Sequence, residues 1–387
     1  MYAQRTDTRL LGGQADLQAH LHQHGQLPAR PDLVEMVTRA GLRGRGGAGF
    51  PTGTKLRAVA EARGRPVVVV NACEGEPISA KDHALLTASP HLVLDGAVLA
   101  AQAVEANEII VCLHEGDQLG HTLTTAIRAR RNPVPTSLRA VPRRYVASEE
   151  SALVNLINTG DARPTTKPPR PDQRGVRGQP TLVSNAETFA QLALIARHGP
   201  EWFREAGTML LTVTGAVAAP GVHEVPYGTH LPEVLARTRA ARDARAVLLG
   251  GVAGTWLPTD ATVHLTHESA PVGVGAVFVL PARACGLAET ARITQYLATE
   301  SARQCGPCMF GLPAIAHDLT RLAHGTATDA PRLRRRLALL SGRGACRHPD
   351  GAARVASSAL TVFAADVTGH LAGRPCQHAG RTHIPLP

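Results

Sequence analysis

The apolar positions change rhythm along the chain. "DLVEMVTRA" (32–40) spaces its apolar residues three and four apart, with Asp32 placed as an N-cap, and predicts a helix. "VVVV" (67–70) is uninterrupted and predicts a strand buried on both faces. "HLVLDGAVLAAQAVEA" predicts a helix and "EIIVCL" a second strand. "SEESALVNLIN" predicts another helix, with Ser148 as N-cap and Glu149 and Glu150 in a first turn that favours negative charge. This alternation over residues 30 to about 200 predicts an α/β domain. "RPTTKPPRPDQRGVRGQP" (163–180) is too rich in proline for regular structure, and its position predicts a loop over a site.

From about residue 208 the rhythm shifts. "MLLTVTGAV", "GVHEVPYGT", "LPEVLART" and "AVLLGGV" run strand, strand, helix, strand, which suits a small β-grasp-like domain. From about 286 the spacing is helical almost throughout and predicts a helical bundle. The expected division is an α/β domain over 1–205, a β-grasp domain over 206–285, a helical domain over 286–372 and a flexible tail over 373–387.

Composition narrows the classes. At 387 residues the chain suits two or three domains. No apolar run is long enough for a membrane span, and "MYAQRTDTRLLGGQ" has no apolar signal core, so the expected setting is cytoplasmic. The net charge of +10 raises nucleic acid as a partner. Its arginines are scattered, however, and the only lysines are Lys55, Lys81 and Lys167, a pattern of coding bias that ranks nucleic acid last. Seven cysteines, an odd number, argue against a disulfide framework and leave metal or redox use for the CxxC pair. Cys112, in an apolar run, reads as packing.

Three segments carry chemistry. "GLRGRGGAGFPTGTKL" (41–56) fits G-x-G-x-x-G at Gly44, Gly46 and Gly49, but a helix rather than a strand precedes it, which disfavours an ordinary dinucleotide fold. It has no GK[ST] and is not a Walker A loop. Its backbone N–H groups can still approach an anion, with Lys55 adding charge. "NACEGEP" follows the first strand, where open α/β sheets bind ligands, and presents Asn71, Glu74 and Glu76. "CGPC" supplies Cys305 and Cys308, and Cys346 follows after a long gap.

Together with "SEESALVNLI", "GQPTLVSNAET", "TGAVAAPGVHEVPYGT" and "ESARQCGPC", in this order, these segments resemble the NADH-binding, flavin and iron–sulfur subunit of respiratory complex I. The diaphorase subunits of NAD-linked hydrogenases and formate dehydrogenases are similar. The resemblance runs from about residue 30 to about 365. It implies a Rossmann-like FMN domain, a ubiquitin-like domain and a helical domain with one [4Fe–4S] cluster. It implies FMN contacts from the loop Gly44, Arg45, Gly46, Gly47, Ala48, Gly49 and Phe50, and from Lys55, Asn71, Glu74, Glu149 and Asn185. Glu76 and Glu150 match the acids beside the nicotinamide, and Cys305, Cys308 and Cys346 match cluster ligands. The implied activity is electron transfer from NADH through FMN and the cluster to a partner such as a ferredoxin or a reductase component, with peripheral attachment to a membrane redox complex compatible with it.

The chain departs from the family at four places. Cys73 stands where the family has aspartate, which exchanges an acceptor for a weak donor. Ala58 and Arg170 stand where two phenylalanines would stack on the adenine, a loss of roughly 1–3 kcal/mol by analogy with base stacking. Arg170 can offset part of it by lying over the ring. Ala302 stands at the first cluster cysteine. Three outcomes follow: a [4Fe–4S] cluster with a substitute ligand (solvent, a small thiol, His348 or Cys376), a three-iron cluster, or no cluster, with packing thiols or a zinc site instead. Two further functions stay open: a relay fed by a protein partner without NADH, and a cofactor-free scaffold.

Overall fold

The computed structural model describes residues 9–266, 272–326 and 329–387. The opening "MYAQRTDT", expected to lack a signal core, lies outside the described residues. Helices α1 (Leu17–His24) and α2 (Leu33–Ala40) lead into the glycine loop, and α3 (Thr52–Ala60) follows it. The first sheet is built from β1 (Val67–Asn71), α4 (Lys81–Ala88), α5 (Pro90–Ala103), β2 (Glu108–His114), α6 (Leu119–Ala129), β3 (Thr136–Val141), α7 (Glu150–Thr159) and β4 (Thr181–Asn185). All its strand pairs are parallel and the order is β3-β2-β1-β4. The chain winds outward from β1 to β3 and then returns to the other side of β1. The switch point of this Rossmann-like sheet therefore falls between β1 and β4, where ligands bind in such folds.

Helices α8 (Ala186–His198) and α9 (Pro200–Ala206) complete this part. Every residue of β1 up to Val70 is buried, as an uninterrupted apolar run requires of a central parallel strand. Helix α5 is held tightly on α8 because Gly96 has no Cβ; one built there would overlap the Phe189 carbonyl.

The second sheet comprises β5 (Thr208–Gly215), β6 (Gly221–Pro226), helix α10 (Leu231–Arg237), β7 (Ala246–Leu249), β8 (Thr255–Leu257) and β9 (Ala276–Leu280), in the order β6-β5-β9-β7-β8. Among the described residues only its β5–β9 pair is parallel. The remainder is helical: α11 (Gly286–Thr299), α12 (Leu312–Ala323), α13 (Ala330–Leu340), α14 (His348–Val362) and α15 (Ala364–Leu371). The helical spacing of "AARVASSALTVFAADVTGHLAG" is shared by two helices, with Phe363 between α14 and α15.

The terminal segment, expected to hang free, packs against α11. His383 and Ile384 donate their backbone N–H groups to the buried Glu289 carboxylate at 2.7 and 3.3 Å, and Ile384 is buried among apolar side chains. Among the described residues no single helix is long and apolar enough to cross a membrane.

Candidate functional site

The glycine run forms a closed loop between α2 and α3. Gly41 ends α2 in the left-handed conformation, and the Gly44 N–H donates to the Phe50 carbonyl at 2.9 Å. Gly47 and Gly49 take φ of 108° and 61°, which a side chain would resist. Gly46 and Ala48 are exposed, and Phe50 leaves 40 % of its surface in solvent. Arg45 turns inward: its N–H meets Thr188 Oγ1 at 2.9 Å and its guanidinium lies over the Tyr227 ring. The Thr52 hydroxyl, at the first position of α3, is buried with no hydrogen-bond partner.

Asn71 and Asn185 lie side by side at the carboxyl ends of β1 and β4. The Asn71 amide donates to the Ser148 carbonyl at 2.8 Å. Asn185 accepts from the Glu187 N–H, capping α8, and from Lys81 Nζ at 3.1 Å. Gly46 abuts the Asn185 side chain. The loop thus sits over the switch point.

Two charge clusters surround this place. Lys81 is 2 % exposed and holds Asp82 at 2.8 Å and Glu187 at 3.1 Å. Burial opposes its charge, but Asp82 and Glu187 keep the ammonium above its ordinary pKa. Lys55 and Lys167 both grip Glu150, at 2.9 and 2.6 Å, and Lys167 also reaches Glu149 at 2.9 Å. Burial would raise the Glu150 carboxyl, yet the two ammonium groups hold it down at about 2. The predicted N-cap of α7 moves by one residue. Ser148 bonds Tyr145 instead, and Glu149 caps the helix by accepting from the Ser151 and Ala152 N–H groups. Glu74 likewise faces protein: it accepts from Ser79 Oγ and from the Asp82 and His83 N–H groups at the start of α4.

Glu76 sits at the junction of all three parts. It is 6 % exposed, accepts from the Val252 N–H at 3.0 Å, and lies 3.5 Å from the Tyr145 hydroxyl. Burial pushes it up to about 7, against the opposing pull of the Val252 and Ile78 N–H groups and Tyr145. Gly251, at φ 86°, has no room for a Cβ against this carboxylate. Glu76 and Glu150 share no partner, so the structure gives the two acids separate surroundings. Ala58 lies on α3, and Arg170 is exposed, with its N–H on Gln173 Oε1.

Cys305, Cys308 and Cys346 are free thiols close enough to interact. Cys308 feels Cys305 directly and Cys346 through its charge. Burial pushes Cys308 up to about 12 and Cys346 to about 11. Cys346 also feels Glu149 and Lys167, so the cysteine group adjoins the charged side of the loop site. Gln304 donates to the Pro164 carbonyl and Tyr145 N–H to Glu300, which pins the two regions together. Of the substitute fourth ligands, Cys376 is ruled out. It lies beside Cys285 at the start of α11, whereas Ala302 follows its end, and fourteen residues of helix separate them by about 20 Å. His348 Nε2 is taken by the Leu297 carbonyl at 2.7 Å, and its Nδ1 is buried without a partner.

These arrangements can be tested against the groups the resemblance implies. Exposed loop backbone, an uncapped helix start with an orphaned Thr52 hydroxyl and the exposed Phe50 ring suit a planar, phosphate-bearing group. Three neighbouring thiols suit an iron–sulfur cluster through three protein ligands. Sequence reasoning did not single out Asp82, Glu187, Tyr145 or the Gly250–Gly251 turn. The rarity of lysine was a usable signal, because all three lysines stand at this site.

Comparison with known proteins agrees. Residues 37–194 match the Nuo51 FMN-binding domain, and residues 288–370 match the NADH-ubiquinone oxidoreductase-F iron–sulfur binding region. The F subunit of the NADH-quinone oxidoreductase of Streptomyces coelicolor is 30% identical over 90% of this chain and 85% of its own length. The alpha subunit of the NAD-reducing hydrogenase HoxS of Cupriavidus necator is 36% identical over 77% of this chain and 53% of its own. The solved structure of an air-oxidized NAD+-reducing [NiFe]-hydrogenase superposes with a TM-score of 0.85 at 33% identity, over 91% of this chain and 64% of that one. The chain belongs to the NADH-quinone oxidoreductase-F family, with its FMN-binding and iron–sulfur binding regions.

Proposed function

From that membership, we propose that this chain is the NADH-oxidising subunit of a larger redox assembly, operating with FMN and one iron–sulfur cluster and handing electrons to a protein partner. The carrying observation is that the segment before Cys305 is bonded to the loop-site side, Gln304 on the Pro164 carbonyl and Glu300 on the Tyr145 N–H, because a flavin-to-cluster relay needs its two stations in one neighbourhood. Bound FMN would supply the conversion of a two-electron hydride into single electrons, and a bound cluster would supply one-electron conduction. In this reading the loop from Gly44 to Phe50, Lys55, Asn71 and Asn185 hold the FMN. Glu76 and Glu150 face the nicotinamide side, Glu74 and Glu149 brace helix starts beside the flavin, and Cys305, Cys308 and Cys346 ligate the cluster.

The domain reading goes with it. The second sheet, in which the strand order puts β5 and β9 at the centre with α10 between its hairpins, supports a β-grasp domain over 206–285. It lies between an α/β domain over 1–205 and a helical cluster domain over 286–372. A cytoplasmic subunit docked on its partner, without a span of its own, completes the proposal.

The test is an anaerobic visible spectrum of protein reconstituted with FMN, iron and sulfide, before and after NADH. Rapid bleaching of the flavin band is expected. A band that dithionite bleaches and NADH leaves untouched replaces this function with a protein-fed relay, the outcome that Ala58 and Arg170 favour. Protein that takes up no FMN leaves only a scaffold.

A further inference from the structure

Far from the loop site, Cys285, His370 and Cys376 bring one sulfur, one ring nitrogen and a second sulfur within 4.8 Å of one another. They come from three places: the N-cap of α11, the last turn of α15 and the segment beyond it. His370 Nε2 is 3.8 Å from the Cys285 sulfur and 3.1 Å from the Cys376 sulfur. The other ring nitrogen, Nδ1, donates to the Leu322 carbonyl at 3.0 Å, which fixes the tautomer and leaves Nε2 an acceptor; it takes the Cys376 N–H at 2.9 Å, a bond that an ion between the sulfurs would displace.

We propose that Cys285, His370 and Cys376 form a mononuclear zinc site, separate from the cluster cysteines. Zinc bonds of about 2.0–2.1 Å to nitrogen and 2.3 Å to sulfur, at a tetrahedral angle, put the two donors about 3.6 Å apart. The present separations of 3.8 and 3.1 Å bracket that value. Two thiolates and a neutral imidazole balance a divalent ion, so the buried centre carries no net charge. A monovalent copper would leave it negative. Cys285 and His370 are buried while Cys376 is half-buried, which leaves the fourth position to solvent on the Cys376 side. The ion would fasten the terminal segment to the start of α11, reinforcing the Glu289 contacts that hold its far end.

The experiment uses full-length protein purified anaerobically from zinc-supplemented cells, with metal analysis and X-ray absorption at the zinc edge. The expected result is about one zinc per chain with two sulfurs and at least one nitrogen in its shell. The triple variant Cys305→Ala, Cys308→Ala, Cys346→Ala should retain that zinc, and Cys376→Ser should lose it. A shell of three sulfurs, a triple variant without zinc, or a Cys285–Cys376 disulfide found by mass in the anaerobic protein each overturns the proposal. The X-ray absorption result needs only the wild-type chain, so it stands if a variant fails to fold.

Discussion

Replacing Glu76 with glutamine should stabilise the protein above neutral pH and impair its activity. The carboxyl titrates at about 7, against an ordinary value of 4.5, because it is buried between three parts of the chain. A group whose folded pKa is raised binds more protons in the folded state than in the unfolded one between the two values. Stability therefore falls as pH rises through that window. At about 1.4 kcal/mol per pH unit, the interval from 4.5 to about 7 amounts to roughly 3 kcal/mol, in full above pH 7. Glutamine keeps the acceptor for the Val252 N–H and removes the charge. Urea unfolding followed by circular dichroism should give equal stabilities for wild type and Glu76→Gln near pH 4, and a variant more stable by about 3 kcal/mol at pH 8. Parallel pH profiles, or a variant less stable at pH 8, would refute the burial argument. Retention of so costly a charge is what a stability–activity trade-off predicts, and the same variant should oxidise NADH more slowly.

Three further outcomes follow from single positions. Lys81→Met leaves the Asp82 and Glu187 carboxylates buried without their cation and should cost about 3–5 kcal/mol in unfolding experiments, with Glu187→Gln restoring part of it. Ala302→Cys supplies a fourth thiol after α11 and should raise the iron bound on anaerobic reconstitution, with a changed electron paramagnetic resonance signal; an unchanged iron content would mean that position 302 does not face the cluster. The pair Ala58→Phe and Arg170→Phe should tighten NADH binding by roughly 1–3 kcal/mol in titration calorimetry, and an unchanged Kd would show that neither position lies against the adenine.

Much of this architecture was legible because burial imposes a rhythm. The uninterrupted "VVVV" is a central parallel strand, and the helical spacing after 286 is a helical region. What escaped was tertiary. Nothing local shows that Glu74 and Glu149 turn toward helix starts rather than outward, since both acids look equally free in the sequence. Phe363 separates α14 from α15 without proline or glycine, so periodicity runs through it. The terminal segment is short, and its attachment rests on distant groups: the Glu289 carboxylate, Arg292 on the Ile384 carbonyl and the apolar bed of Ile384.

The helix starts around the switch point decide where an anion can bind. Helices α4, α7 and α8 all begin there, and each has one or two of its first N–H groups taken by a side chain: by Glu74, by Glu149 and by Asn185. Helix α3 alone among them begins with no side-chain cap, behind Pro51, next to the exposed glycine loop and the orphaned Thr52 hydroxyl. Its Thr52 N–H is held by the Leu42 carbonyl, but no side chain caps this end, so in the proposed function the phosphate binds there rather than at α7. Two variants separate these places. Gly47→Ala forces a side chain onto φ 108°, a strain of about 1–3 kcal/mol, and should weaken FMN binding tenfold or more. Glu149→Gln keeps an amide oxygen to cap α7 and should leave FMN affinity within a fewfold of wild type, as read by fluorescence quenching of the flavin. Loss of FMN from Glu149→Gln with Gly47→Ala unaffected would move the phosphate to α7 and remove the glycine loop from the site.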